Sequence, residues 1–490
     1  VKLYPIRCAV VAALGGLLFG FDIVVISGAT ESLQRVFIDP TFADASVTMQ
    51  AFWKGFTVAS ALIGTIVGAS VVSKPADALG RRSTMFLLAL LFLVSAIGSA
   101  FAWSWTSLVV FRFIGGLGIG GASVIAPMYI AEIAPADRRG RLVVLAQLNI
   151  VLGILLAFIS NLVIQQFGVS SSGEAGSAEY VRWLDSTGWR VMFGVEAVPA
   201  LAYLLLLFTV PRSPRWLVAK NLEDEARSVI AKLGTDAQGE TVEQELGAIR
   251  ESLRSERAAL KAPLFTKRYT PLVMLAFAIA AFNQLSGINA ILYYAPEVFK
   301  AAGFGDSAAF LNSVGIGLAN LVFTIAAMTV IDKLGRKTLM LVGSIGYILS
   351  LSAVALAFYT QSSTDGENVR TFTDTGSWVV LIGIIVFIAS HAFGQGAVIW
   401  VFLSEVFPNS VRAKGQAFGS LTHWVFAAAI SWTFPMIAQA SGGHVFAFYA
   451  VCMVAQLIWV IKVMPETKGV PLEEIEAKLG VAPQESPVHP

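Results

Sequence analysis

Twelve stretches of this chain run for about twenty residues or more with scarcely a charge, at roughly 8–28, 53–73, 84–103, 107–131, 142–166, 189–210, 270–299, 308–331, 338–359, 377–402, 413–438 and 443–464. A helix needs about 20 mostly apolar residues to cross a bilayer, and inside lipid every backbone N–H and C=O must be paired within the protein. The pattern predicts an all-α membrane protein with twelve transmembrane helices. Charged residues are only 13% of the chain and hydrophobic ones 56%, too little polar surface to clothe a soluble body of this length. The first stretch is longer than a signal segment's apolar core, has no convincing cleavage site and carries Asp22 in its middle, so it is read as a retained helix. Cys8 and Cys452 lie in or beside apolar spans and read as small buried residues.

Basic residues mark alternate loops: Lys74, Arg81 and Arg82, then Arg138, Arg139 and Arg141, the stretch 212–268, Lys333, Arg336 and Lys337, and finally Arg412 and Lys414. The opposite loops hold mainly Arg35, Arg182, Lys300 and Arg370. By the positive-inside rule the richer loops are cytoplasmic, with both termini on that side of the plasma (inner) membrane. Residues 1–210 and 270–464 are expected to form two six-helix bundles, 211–269 a cytoplasmic helical loop of amphipathic segments, and 465–490 a cytoplasmic tail.

The halves repeat. DALGRR at 77–82 returns as DKLGRK at 332–337, PRSPRWL at 211–217 is answered by PETKG at 465–469, and Glu132, Pro135 and Arg139 share their spacing with Glu405, Pro408 and Arg412. Such symmetry suggests parallel bundles with a binding site between them near the bilayer midplane. The stretch FNQLSGINAILYYAP at 282–296 has the make-up of such a site. Asn283, Gln284 and Asn289 bring amides into lipid depth, Ser286 and Gly287 allow the helix to break, Tyr293 and Tyr294 suggest a gate, and Pro296 ends the run. The amides equally suit a polyhydroxylated solute or plain helix-to-helix bonding.

Taken together, D-x-x-G-R-R/K in both halves, PRSPRWL, PETKG, RFIGGLGIG at 112–120 and QLSGINAILYYAP resemble the sugar porter family of the major facilitator superfamily, over nearly the whole chain. That resemblance implies a transporter working by alternating access, with a cytoplasmic charge network of Asp77, Arg81, Arg82, Glu132, Arg138, Arg139 and Arg215 in one half. Asp332, Arg336, Lys337, Glu405, Arg412 and Glu466 repeat it in the other. The network reads as a conformational lock, or else as topology signals with ordinary surface pairing. Arg212 stands where the family usually has glutamate and Ser73 where it usually has glycine, which puts the usual acid contact of PRSPRWL in doubt.

Asp22 follows Arg7 by about fifteen residues, roughly 22 Å of helix, which places it in the outer half of the membrane. Arg112 and Glu196 fall at a similar depth in spans entering from the other side, so the three can meet. An acid at that depth is a functional candidate whose partner must be named, and Arg112 is that partner. Loss of the pairing would make Asp22 take up a proton; a permanent brace between two helices is the alternative. The family's proton symporters resemble this chain in the aspartate and arginine, and Glu196 matches their auxiliary acid.

On the same resemblance the sugar site takes Gln147, with Ile150 and Ile154 as an apolar wall, and Gln284, Asn289, Asn320 and Trp400, supported by Asn283 and Trp424. His423 stands where an amide is more usual, and His391 at a position that is histidine in some fructose carriers; either also reads as a helix contact. Trp400 and Ile154 lean toward an aldohexose such as glucose, and His391 keeps fructose open. The leading expectation is a proton-coupled monosaccharide symporter, probed against a uniporter and against a membrane sugar sensor. The expected partners are a monosaccharide, a proton and the lipid bilayer, with no nucleic acid and a monomer as the working unit. No phosphate loop, metal cluster or nucleophile–base arrangement appears in the sequence, so neither an enzyme nor a cofactor is expected.

Overall fold

In the computed structural model, residues 3–135, 139–234, 242–259, 263–364, 370–408 and 410–470 are described. Among them are twelve helical spans: Leu3–Gly28, Val47–Val71, Arg81–Ala100, Trp105–Ile133, Leu142–Ser172, Ala178–Thr209, Thr270–Tyr293, Asp306–Leu334, Arg336–Thr360, Asp374–Glu405, Arg412–Gln439 and Gly442–Lys462. The all-α expectation holds, apart from a short antiparallel hairpin pairing Ser362–Thr364 with Arg370–Phe372. The sixth span begins eleven residues earlier than hydropathy suggested, because the polar stretch around Asp185 continues the helix through a π-turn at Leu184–Gly188.

Local chemistry sets the ends of these helices. Ser46, Ser104 and Thr373 accept from the backbone N–H of Met49, Ser107 and Gly376, so their side chains occupy donors that the first turn leaves free. On the opposite, basic face the third and ninth spans start after Gly80 (φ 91°) and Gly335 (φ 89°), a backbone region that only glycine enters cheaply. The repeat also shows in what covers these turns. A side chain at Gly80 would meet the Trp216 ring, and one at Gly335 the Glu466 carboxylate.

Glycine also lets helices approach closely. Gly16, Gly20 and Gly153 put the backbones of the first and fifth spans in contact, and Gly64, Gly116 and Gly120 do so for the second and fourth. The glycine run at 115–121 is therefore a packing surface. The two six-helix bundles meet where the second span packs on the eleventh and the fifth on the eighth. On the basic face, Pro214–Ala219, Glu223–Leu233 and Val242–Ala259 form the helical layer expected of 211–269. Ala226, Val229, Ile230 and Leu233 are buried there, and Arg250 and Arg227 reach across to Glu223 (2.6 Å) and Glu243 (2.7 Å) respectively.

The far face, opposite the basic loops, is fastened across the halves. Lys54 pairs with Glu297 at 2.8 Å, Lys300 with Glu31 at 2.7 Å, and the Gln165 amide donates to Ser307. Lys300 also meets Asp306 at 2.5 Å, and Arg35 joins Asp185 at 2.8 Å. Burial works against the charge on Lys300, but Glu31 and Asp306 outweigh it and raise its pKa. A raised lysine pKa means that the pairing is complete below the ordinary lysine value and is lost only as pH rises through the higher one, so it persists across neutral pH. These ion pairs join charges 243 and 269 positions apart, and nothing in the sequence marked them. With Lys54→Met, an Ala51→Cys thiol beneath the latch should react roughly fivefold faster with an impermeant maleimide. Unchanged labelling would show that the pair holds nothing.

Candidate functional site

The seventh span breaks where its sequence suggested. Its helix ends at Leu285, the Ser286 hydroxyl folds back onto the Asn283 carbonyl (2.7 Å), and Gly287 takes φ 86° against the ring of Tyr449. Ile288–Tyr293 then restarts the helix. Pro296 does not end the run as expected. It lies in the first turn of a further helix, Ala295–Ala301, where its missing N–H costs no hydrogen bond.

The break gathers the amides. Asn283, Gln284 and Asn289 are buried. Asn289 Nδ2 donates to Gln284 Oε1 at 2.8 Å, while Gln284 Nε2 donates to Asn283 Oδ1 at 2.9 Å and lies 3.2–3.3 Å from the two His423 ring nitrogens, whichever of them carries no proton being its acceptor. His423 comes from the eleventh span and lies between Trp400 (5.1 Å between ring centroids) and Trp424 (4.8 Å). Trp400 keeps 37% of its surface exposed, so one aromatic side of the cluster faces outward from the packing. Trp424 is buried with its Nε1 donor unpartnered and packs against Phe19 of the first half at 5.6 Å. An aromatic wall with a row of amides and a free indole N–H suits a ligand with apolar ring faces and many hydroxyls.

The remaining members are more scattered. Gln147 is half-buried on the fifth span, Ile150 packs on Gly16 of the first, and Ile154 is buried. Asn320 is buried on the eighth span, with the Thr324 hydroxyl 3.5 Å from its Oδ1. Among the described residues no hydrogen bond joins Gln147 or Asn320 to the amide cluster. His391 bonds through Nδ1 to the Tyr347 hydroxyl at 2.6 Å, a contact between the tenth and ninth spans. Tyr293 and Tyr294 are both buried; Tyr294 stacks on Phe434 at 4.9 Å below the Lys54–Glu297 pair. A cavity of about 260 Å³ on the far face ends on Tyr294, Lys54 and Glu297.

Asp22, Arg112 and Glu196 are all buried in the first half. Arg112 binds the Asp22 carboxylate through Nη1 and the Asp22 carbonyl through Nη2 (3.1 Å), with the Phe193 ring 5.4 Å from the guanidinium. Glu196 occupies a break between Trp189–Val195 and Ala197–Leu206, where Pro199 removes an N–H from the helix ladder. Asp22 Oδ2, Arg112 Nε and Glu196 Oε1 have no hydrogen-bond partner among the described residues. Two buried carboxyls thus share the electrostatic reach of one buried guanidinium.

The charge network forms within each half. Arg81 joins Asp77 (3.3 Å) and Glu132 (3.0 Å), and Glu132 also accepts from Ser213. Arg336 joins Asp332 (3.1 Å) and Glu405 (2.6 Å), while Glu466 accepts from the backbone N–H of Arg336 and Lys337. Among the described residues Arg82, Lys337 and Arg412 bond carbonyls, those of Leu207, Ile461 and Phe407, each beside a helix end. Arg215 lies in the helix Pro214–Ala219. Arg138 falls outside the described residues, and Arg139 begins the helix of the fifth span. Arg212 does meet an acid, Glu225 at 3.3 Å, from the helical layer.

A family model for sugar (and other) transporters matches residues 8–479. The chain belongs to that family. This transporter is 36% identical to the D-xylose-proton symporter of Escherichia coli (strain K12), over 97% of its own length and 95% of the relative's. It is 35% identical to a glucose transport protein of Synechocystis, over 95% of each. Its structure resembles the inward-open conformation of the xylose transporter from E. coli with a TM-score of 0.80 at 35% identity, covering 97% of this chain and all of that one. It is therefore a membrane transporter of the major facilitator fold, not an enzyme.

Proposed function

We propose that this transporter is a proton-coupled monosaccharide symporter of the plasma (inner) membrane, with glucose as the leading substrate and xylose as its competitor. The observation that carries proton coupling is the buried Asp22–Arg112 pair with Glu196 beside it, an excess of one acid over base in a dry pocket. Relatives named as a proton symporter for xylose and a glucose transport protein support the class of cargo. The amide and tryptophan cluster around Gln284 supplies the matching chemistry. His391 is engaged by Tyr347, which favours a helix contact and weakens the case for fructose.

The basic face is cytoplasmic in this reading, with both termini there, and the cross-half ion pairs close the outside. Residues 1–210 and 270–464 rock as two bundles, linked by 211–269 and followed by the tail 465–490, and one chain is the working unit. Asp77, Glu132 and their arginines, with Asp332, Glu405 and theirs, act as a lock that re-forms between halves when the inside closes. Tyr293 and Tyr294 serve as the outer gate. Uptake of labelled glucose, xylose and fructose into proteoliposomes, with and without an imposed proton gradient, tests all of this. Accumulation of glucose that a protonophore collapses is expected. Equilibration indifferent to the gradient would overturn the symport reading.

A further inference from the structure

Hydroxyls inside helices normally fold back onto their own backbone. Ser313, Ser344 and Ser390 do so here, donating to the carbonyls of Ala309, Met340 and Val386 at 2.7–2.8 Å. Ser95 and Ser99 do not. Both lie on the third span one turn apart, both are 1% exposed, and neither hydroxyl has a partner among the described residues. Leaving such a group unpaired in the interior costs free energy that a back-bond would recover, so their orientation points to another use.

Their surroundings supply it. A methyl group at Gly115 would lie 2.7 Å from Asp22 Oδ2 and closer still to Ser95 Oγ, so the free carboxylate oxygen and the free hydroxyl flank the same glycine. Ser99 is one turn nearer the far face, next to Ala100, whose carbonyl receives Arg190 at 2.9 Å and whose methyl lies against Gly194. That is the helix whose broken end carries Glu196, and Glu196 Oε1 is itself unpartnered. The third span packs along the helices on both sides of that break.

We propose that Ser95 and Ser99 form a hydroxyl relay joining the Asp22 and Glu196 carboxyls through the interior of the first bundle. This rests on the reading of the chain as a proton symporter. When Asp22 is protonated, its Oδ2–H passes the proton to Ser95 directly or through water while the hydroxyls hand their own protons on toward Glu196. One proton leaves Asp22 as a carboxylate and one arrives at Glu196 as a carboxyl, and nothing else changes. The charged and titratable groups around the path are Asp22 of the first span, Arg112 of the fourth, Arg190 and Glu196 of the sixth, Arg190 lying on the Ala100 carbonyl beside Ser99, and, from the other half, Tyr293, which lies within electrostatic reach of Asp22 and Arg112.

The test compares Ser95→Ala and Ser99→Ala with Ser313→Ala, whose hydroxyl is spent on its own helix. Protonophore-sensitive glucose uptake and glucose counterflow at equal pH are measured over an external pH series. The relay predicts proton-driven uptake slowed about tenfold in each of the first two variants, its pH profile displaced to lower pH, counterflow unchanged, and Ser313→Ala like the parent. Parental uptake and pH profile in Ser95→Ala would overturn the relay. Equal loss of uptake and counterflow would also overturn it, since that marks a packing role. If the unmodified transporter is itself indifferent to the protonophore, the symport reading fails first, and the two failures are distinguished.

Discussion

Asp22→Asn should bring accumulation against a concentration gradient down to simple equilibration, while counterflow of sugar at equal pH survives. The asparagine keeps the shape and an acceptor for Arg112 but has no titratable group. In the native pair, Arg112 Nη1 and Nη2 both converge on residue 22, one on its carboxylate and one on its carbonyl. The ionised form is therefore the partnered form. When the bundles rearrange and the guanidinium is drawn off, a buried carboxylate is left without compensation, a cost of several kcal/mol that protonation removes. In the proposed mechanism, coupling lies in that exchange of an arginine for a proton. Asparagine cannot make it, so the driving force is lost but the moving parts are not. The decisive measurement is the ratio of internal to external sugar at steady state with a protonophore control. Undiminished accumulation in the variant would remove Asp22 from the coupling mechanism.

Gln284→Ala should weaken sugar binding by roughly ten- to hundredfold. Gln284 is the hub of its cluster: its Oε1 receives Asn289, and its Nε2 serves both Asn283 and His423. Removing the side chain strips the contacts it would offer a ligand and also frees the Asn289 amide and the His423 ring from their set orientations. A buried polar group left unpaired costs about 1–3 kcal/mol, and in the proposed sugar site that loss falls on binding. Direct binding by calorimetry for glucose and xylose measures it, alongside a thermal melt to show that the helices still pack. Parental affinity in a folded variant would move the site away from the break in the seventh span.

Much of this molecule was readable before any coordinates. The spans, the amphipathic helix Glu223–Leu233 and the break at Gly287 follow from local rules: twenty apolar residues must be helix in lipid, an amphipathic period must face a surface, and Gly287 is the residue that tolerates φ 86°. The partnership of Asp22 with Arg112 was also legible, because helix rise converts residue counts into depth and an acid at that depth needs a base. Where local reading went astray, the cause was equally local. Pro296 suits a first turn as well as a last one.

The sequence by itself determined what each segment had to be, since bilayer thickness and backbone hydrogen bonding act on every stretch of chain independently. It could not say which distant charges meet. Only the tertiary structure set Lys54 on Glu297 and Lys300 on Glu31, brought Ser95 and Asp22 to the same glycine while Ser344 folded back, and placed His423 between two tryptophans beside Gln284. The reason is that a side chain's neighbours across a bundle depend on helix rotation and the approach of the two halves, which packing decides collectively.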